Sequence, residues 1–266
     1  MEIKQEKINE SWSRGAKNYN NIIDNEMASF RREGWKKQIL ENAPSREVLK
    51  ILDCGCGPGF FSMILADEGH DVVGVDGSTE MMRYAKQRAE NYGLDIDFRI
   101  MDCHELQFED GSFDLVVSRN VTHTLREHKT VYQQWLRVLK PGGVLLIFDA
   151  NWHLPGTDEA MLEDSRRRHR ECIEKYGEDF NGNKTVEEVE KAHEARTKKD
   201  DVNDSTVWKH VLHDKRRPDW DVGLLEGIGF CDITYDRDIT EELWDDKEKL
   251  IYGNTPMFMV RAVKAE

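Results

Sequence analysis

The sequence is short of the features that mark secreted, membrane-embedded or nucleic-acid-binding chains. Its 266 residues include five cysteines, an odd number in a chain this long, and that is no disulfide framework. No apolar run is long enough to span a bilayer, and the opening MEIKQEKINESWSRG has no apolar signal-peptide core. The expected home is the cytoplasm, with no membrane partner. Basic residues are outnumbered, 38 Lys and Arg against 52 Asp and Glu, for a net charge of −14. Counterion release by Lys and Arg supplies most of the affinity for phosphate backbones, so nucleic acid is a disfavoured partner. Metal-ligand spacing is also thin. Cys54 and Cys56 make one C-x-C with no second pair, and His210 and His213 have no acid or cysteine in register. No metal is expected.

What is present is concentrated in VLKILDCGCGPGFFSMILADEGHDVVGVD, residues 48–76. An apolar run ends at Asp53, a glycine-rich turn follows (Gly55, Gly57, Gly59), then an amphipathic segment, then a second apolar run ending at Asp76. The pattern predicts strand, tight turn, helix and strand in an α/β fold. Glycines let the backbone approach a ligand closely, and the helix start offers unpaired N–H groups. Asp76, at the end of the second strand, is placed to accept hydrogen bonds from a ribose diol. A dinucleotide fingerprint would put its third glycine at position 60, where Phe60 stands. Asp53 would repel a pyrophosphate and attract the ammonium of an aminoacyl tail. The ligand expected here is a nucleoside with a positive tail and no phosphate.

These residues resemble motifs I and II of class I S-adenosylmethionine-dependent methyltransferases, and later segments extend the resemblance. Asp102-Cys103 closes a third strand (97–101), Phe113 to Ser118 is a fourth with Asn120 and His123 beyond it, and WLRVLKPGG (135–143) leads into a fifth strand ending at Asp149. The resemblance implies a Rossmann-like, seven-stranded, mostly parallel sheet whose last strand is antiparallel, plus a helical cap. It implies an enzyme with S-adenosylmethionine as cofactor and S-adenosylhomocysteine as product. The cofactor residues it implies are Tyr19, Asp53, Gly55, Cys56, Gly57, Gly59, Asp76, Gly77, Met81, Asp102, Cys103 and Asn120. Gly77 departs from the family's pattern, in which a larger apolar residue flanks the adenine.

Four segments follow from the pattern. Residues 1–45 read as a helical lid, two helices broken near Asn20-Asn21, with Tyr19 over the sulfonium or simply packing the lid. Residues 46–150 form the cofactor-binding core. Residues 151–218 are charged and helix-like (159–176, 185–198, 205–212), a capping insert at the rim where a substrate enters. Residues 219–266 complete the sheet with a helix and two strands. Arg166-Arg167-Arg168-His169-Arg170 reads as a solvated helix face, with anion binding the alternative.

The expected reaction is an SN2 methyl transfer to a small-molecule acceptor, for which alignment contributes most of the rate. A general base matters only where the acceptor must lose a proton. His123, Asp149, His153 and Tyr19 are the candidates, and Trp152 could hold an acceptor by its π-face. A protein or RNA methyltransferase, or a non-catalytic cofactor-binding regulatory module, are the alternatives. The oligomeric state and the atom methylated are open.

Overall fold

A computed structural model describes residues 5–180, 182–191, 212 and 215–266. Two helices come first, α1 (Gln5–Met27) and α2 (Arg31–Asn42). Strands and helices then alternate: β1 (Lys50–Cys54), α3 (Phe60–Asp67), β2 (Asp71–Asp76), α4 (Thr79–Tyr92), β3 (Asp97–Ile100), β4 (Phe113–Arg119), α5 (His128–Val138) and β5 (Leu139–Asp149). After β5 comes α6 (Glu159–Tyr176). The described elements end with α7 (Asp219–Ile228), β6 (Phe230–Asp236), α8 (Asp246–Tyr252) and β7 (Phe258–Lys264).

The sheet has seven strands in the order β3-β2-β1-β4-β5-β7-β6. All neighbours are parallel except β7, which runs antiparallel to both β5 and β6. Successive strand residues point to opposite faces. Ile51, Leu115, Val117, Leu146 and Phe148 therefore join one core with residues of α1 to α4, whereas Leu52, Val116, Leu145, Ile147 and Val260 join a second core with α5 and α7. Both faces of β1, β2, β4 and β5 are covered, which is why those strands read as apolar runs rather than alternations. The strand order reverses between β1 and β4, and that reversal opens a crevice at the carboxyl ends of those strands.

The helix after Asp76 forms as its sequence predicts. Ser78 Oγ caps it by accepting from Met81 N, and Gly93 ends it in a left-handed conformation. Elsewhere the structure corrects the sequence reading. No break occurs at Asn20-Asn21: α1 runs through it, and the chain turns only at residues 28–30. Asn20 Nδ2 donates to Asp24 Oδ2 (2.9 Å), and the Arg88 guanidinium holds Asn20 Oδ1 (2.6 Å) and Asp24 Oδ1 (2.8 Å). Tertiary bonds thus override a weak local propensity. Pro141-Gly142-Gly143 lies inside β5 rather than before it, and Gly142 has φ +70°. Helix α8 was not expected; the Asp245–Glu248 capping box starts it.

Beyond β5, α6 fills 159–176 as expected, and residues 186–191 are helical. The remainder of the expected 185–198 helix, the expected 205–212 helix except Leu212, and His210 and His213 lie outside the described residues. The basic run on α6 is matched by acids. Arg167 pairs with Asp164 and Glu171, Arg168 with Asp164, His169 with Asp179, and Arg170 with Glu163 and Glu190. It is an ion-paired face. Helix α6 is tied to α8 and the turn after it by Arg168 Nη1 on Leu250 O (3.1 Å) and Asn254 Nδ2 on Ser165 Oγ (2.7 Å). Among the described residues, no helix is long and apolar enough to cross a membrane.

Candidate active site

The crevice holds a cleft, partly open to solvent, bounded by the ends of β1, β2 and β4 and by α1. Its floor is the turn after β1. Gly55 (φ +77°) and Gly57 (φ +53°) adopt left-handed conformations that a side chain opposes. A Cβ on Gly55 would fall 2.3 Å from Val121 Cγ2; above Gly57 the nearest atom is Tyr19 Cε1 at 3.6 Å. Gly55 is thus required by packing, and Gly57 bares its backbone to the cleft.

Asp76 closes β2 at the cleft's edge. Its Oδ2 accepts from Gly57 N (3.0 Å) and its Oδ1 from Ser78 N (2.7 Å). Burial raises its pKa, and the two backbone bonds oppose that rise. Each oxygen keeps a further lone pair for a donor in the cleft. Asp102 stands across from it, accepting from His104 N (2.9 Å), His104 Nδ1 (2.6 Å) and Arg126 Nη2 (3.1 Å). Burial opposes its ionisation, but His104 and Arg126 hold its carboxyl below the usual range.

Of the residues expected to hold the cofactor, Tyr19, Gly55, Gly57, Asp76, Gly77, Met81, Asp102, Cys103 and Asn120 line this cleft. Asp53, Cys56 and Gly59 do not. Asp53 turns away to the start of α3, where Ser62 N (2.9 Å) and Ser62 Oγ (2.6 Å) bond to its Oδ2. Burial lifts its carboxyl to about 6. It organises the turn from behind rather than meeting a ligand's tail. Cys56 is buried with its Sγ near Gly57 O, and Gly59 packs on Ala85 and Phe98.

Arg119 was missed by the sequence reading as a site residue, although it closes the apolar strand FDLVVSR. Its guanidinium sits 4.6 Å from the Phe60 ring centroid and 5.2 Å from those of Trp35 and Phe61, and it bonds to Glu26 Oε2 (2.7 Å). It borders the cleft beside Tyr19 and Asn120. Burial raises the Tyr19 pKa, with Arg119 partly offsetting it, so the phenol stays protonated near neutrality and is a poor base. Asn120 is left-handed (φ 55°), which Asn tolerates better than most residues. Its Oδ1 is buried with no hydrogen-bond partner among the described residues.

The turn at 122–124 separates this cleft from a smaller cavity. Thr124 and Leu125 face the first, while His123, Trp152, His153 and Arg217 line the second. Asp149 lies beneath, fully buried. Its Oδ1 meets His123 Nδ1 (2.9 Å), Ala150 N (2.8 Å) and Trp152 Nε1 (3.1 Å); its Oδ2 meets Thr122 Oγ1 (2.5 Å), His123 N (2.8 Å) and Arg217 Nη1 (3.2 Å). Burial works against its charge, but His123, Arg217 and Thr122 prevail and hold the carboxyl far below the usual range. A carboxylate so occupied has little basicity. The expectation of Asp149 as a general base is therefore corrected: it orients His123. Arg217, missed in the sequence, also grips Asp221 through Nε (2.7 Å) and Nη2 (3.0 Å). Among the described residues no group of three or more His, Cys, Asp or Glu side chains is arranged to hold a metal.

Residues 52–147 match the methyltransferase domain family. Phosphoethanolamine N-methyltransferase 3 of Arabidopsis thaliana is 28% identical over 145 residues, 53% of this chain and 30% of that protein. Demethylmenaquinone methyltransferase of Thermus thermophilus is 30% identical over 128 residues, 47% of this chain and 58% of that one. The matched stretch thus spans less than two thirds of either relative. Among solved structures, phosphoethanolamine N-methyltransferase 2 of Haemonchus contortus, in complex with phosphomonomethylethanolamine and S-adenosylhomocysteine, shares the fold. Its TM-score is 0.54 at 20% identity, over 85% of this chain and 51% of that one. Within the core, residues 52–147 are thus similar to a methyltransferase domain, and the fold is shared with a solved methyltransferase.

Proposed function

We propose that the protein binds S-adenosylmethionine in the cleft and directs its methyl group to a small-molecule acceptor. The observation that carries this is the convergence of Asp76, Asp102 and the bare backbone of Gly57 on one cleft at the point where the strand order reverses. The donor set suits the ligand. Asp76 has lone pairs for the ribose hydroxyls, and Asp102 can accept from the adenine amine while the Cys103 backbone serves a ring nitrogen. Arg119 offers a guanidinium for the aminoacyl carboxylate. The partnerless Oδ1 of Asn120 offers an acceptor for the ammonium. The sulfonium supplies an already activated methyl group.

The chain's own residues then position and deprotonate. His123, with Nδ1 held by Asp149, would take a proton from an acceptor that must lose one, leaving an imidazolium facing a carboxylate. His153 and Trp152 border the same small cavity and would shape the acceptor site. The methyltransferases that this chain resembles include one named for phosphoethanolamine and one for demethylmenaquinone. Both names denote small molecules, in keeping with the acidic surface. With no membrane-crossing helix described, a cytoplasmic location is proposed.

The test is incubation of the protein with methyl-labelled S-adenosylmethionine and fractionated cell extract. Label in the small-molecule fraction supports the proposal and gives the acceptor by mass. Label on protein or RNA overturns the acceptor class. Cofactor binding without any transfer, across extracts and pH, would favour a non-catalytic binding module.

A further inference from the structure

At Gly77 the cleft departs from what the family pattern implies. Gly77 follows the ribose-side acid Asp76 and brings no side chain to the place where an apolar one would flank the adenosine. That space is filled from elsewhere. A Cβ built on Gly77 would lie 2.6 Å from Asn9 Oδ1 and 3.0 Å from both Asn9 Cγ and Nδ2. Asn9 belongs to the second turn of α1 and borders the cleft.

Asn9 is held there by a chain of bonds reaching Asp102. Gln5 Nε2 donates to Asn9 Oδ1 (2.9 Å), and Arg126 Nε donates to Gln5 Oε1 (2.7 Å) while its Nη2 reaches Asp102 Oδ2 (3.1 Å). One turn further along α1, Ser13 Oγ meets Ser78 Oγ at 2.9 Å. Residues four apart share a helix face, so Gln5, Asn9 and Ser13 form a row that crosses the rim from Asp102 to Ser78. The amide that faces Gly77 is thus oriented rather than free to turn.

We propose that Asn9 is an adenosine-binding residue delivered by α1, and that Gly77 is small in order to admit it. The proposal rests on the S-adenosylmethionine reading of the cleft. With Oδ1 engaged by Gln5, the Nδ2 group is the natural donor toward a ribose oxygen or a ring nitrogen. The helix that borders the cleft thereby carries a contact to the ligand.

The experiment measures S-adenosylhomocysteine affinity by calorimetry and its dissociation rate by stopped-flow displacement, for the full chain. Asn9→Ala is expected to bind roughly five- to tenfold more weakly, the scale of one hydrogen bond, through faster dissociation. Gly77→Ala should lose about as much, because its methyl group displaces the amide. The double variant should be no worse than either single one, since both changes remove the same contact. Wild-type affinity in Asn9→Ala, or losses that add in full in the double variant, would overturn the proposal while leaving the cofactor reading intact. Failure of the wild-type protein itself to bind would remove both.

Discussion

The side-chain amide of Asn151 is paired with the backbone of Arg217: its Oδ1 accepts from Arg217 N at 3.1 Å and its Nδ2 donates to Arg217 O at 2.9 Å. The partners are 66 residues apart, so the pair closes the root of the segment that leaves the sheet after β5. Arg217 then turns its guanidinium inward to Asp149, the carboxylate that also holds His123. The anchorage of that segment and the candidate base share one charge.

That sharing predicts two separable losses. Asp149→Asn leaves Arg217 with one fewer buried counter-charge and should destabilise the fold by roughly 3–5 kcal/mol, read from urea denaturation. His123→Ala should cost much less stability but depress kcat for any acceptor that must lose a proton, with donor affinity unchanged. Equal stability losses in the two variants would contradict the division of roles.

At Gly55 both the backbone and the space are restrictive. Gly55→Ala must accommodate φ +77° and a contact 2.3 Å from Val121. The expected cost is about 1–3 kcal/mol in stability, with weakened cofactor binding because the turn and Val121 both border the cleft. A thermal midpoint and an affinity matching wild type would refute this.

Two buried groups titrate in opposite senses between pH 4 and 6.5. Burial, with Arg217 nearby, lowers His128 from 6.5 to about 4. Its contribution is full above pH 6.5 and is lost as pH falls toward 4, because the unfolded chain takes the proton first. Burial raises Asp53 from 3.8 to about 6, so its contribution is full below pH 3.8 and is lost as pH rises through 6. At about 1.4 kcal/mol per pKa unit, each amounts to roughly 3 kcal/mol, and they oppose one another. Relative to wild type, Asp53→Asn should lose stability more steeply on acidification from pH 6.5 to 4.5, and His128→Gln less steeply. Parallel urea-derived curves for all three proteins would contradict the assignment.

Much of the cleft was legible in the sequence because its signals are local. An apolar run ending in an acid, a glycine turn and the next apolar run all fall within residues 48–76, and the structure places Gly55, Gly57 and Asp76 on one cleft. The misreadings involve partners distant in sequence or a geometry that spacing does not encode. Asp53 looked like a ligand-facing acid, yet its partner is Ser62, nine residues on, around a turn that buries both. Arg88, 68 residues from Asn20, keeps α1 whole where local propensity suggested a break. Arg119 is held by Glu26 from 93 residues away, and Arg217 binds Asp149 across 68. No periodicity marks such pairs.

On the proposed function, Asp76 and its cleft bind the nucleoside of S-adenosylmethionine. Calorimetric titration of the wild-type protein and Asp76→Ala with S-adenosylmethionine tests it most directly. The account predicts saturable binding at one site per chain in the wild type and a loss of at least tenfold in the variant, in line with removal of charge-assisted hydrogen bonds. No binding by the wild type, or equal affinity in a folded Asp76→Ala, would contradict it.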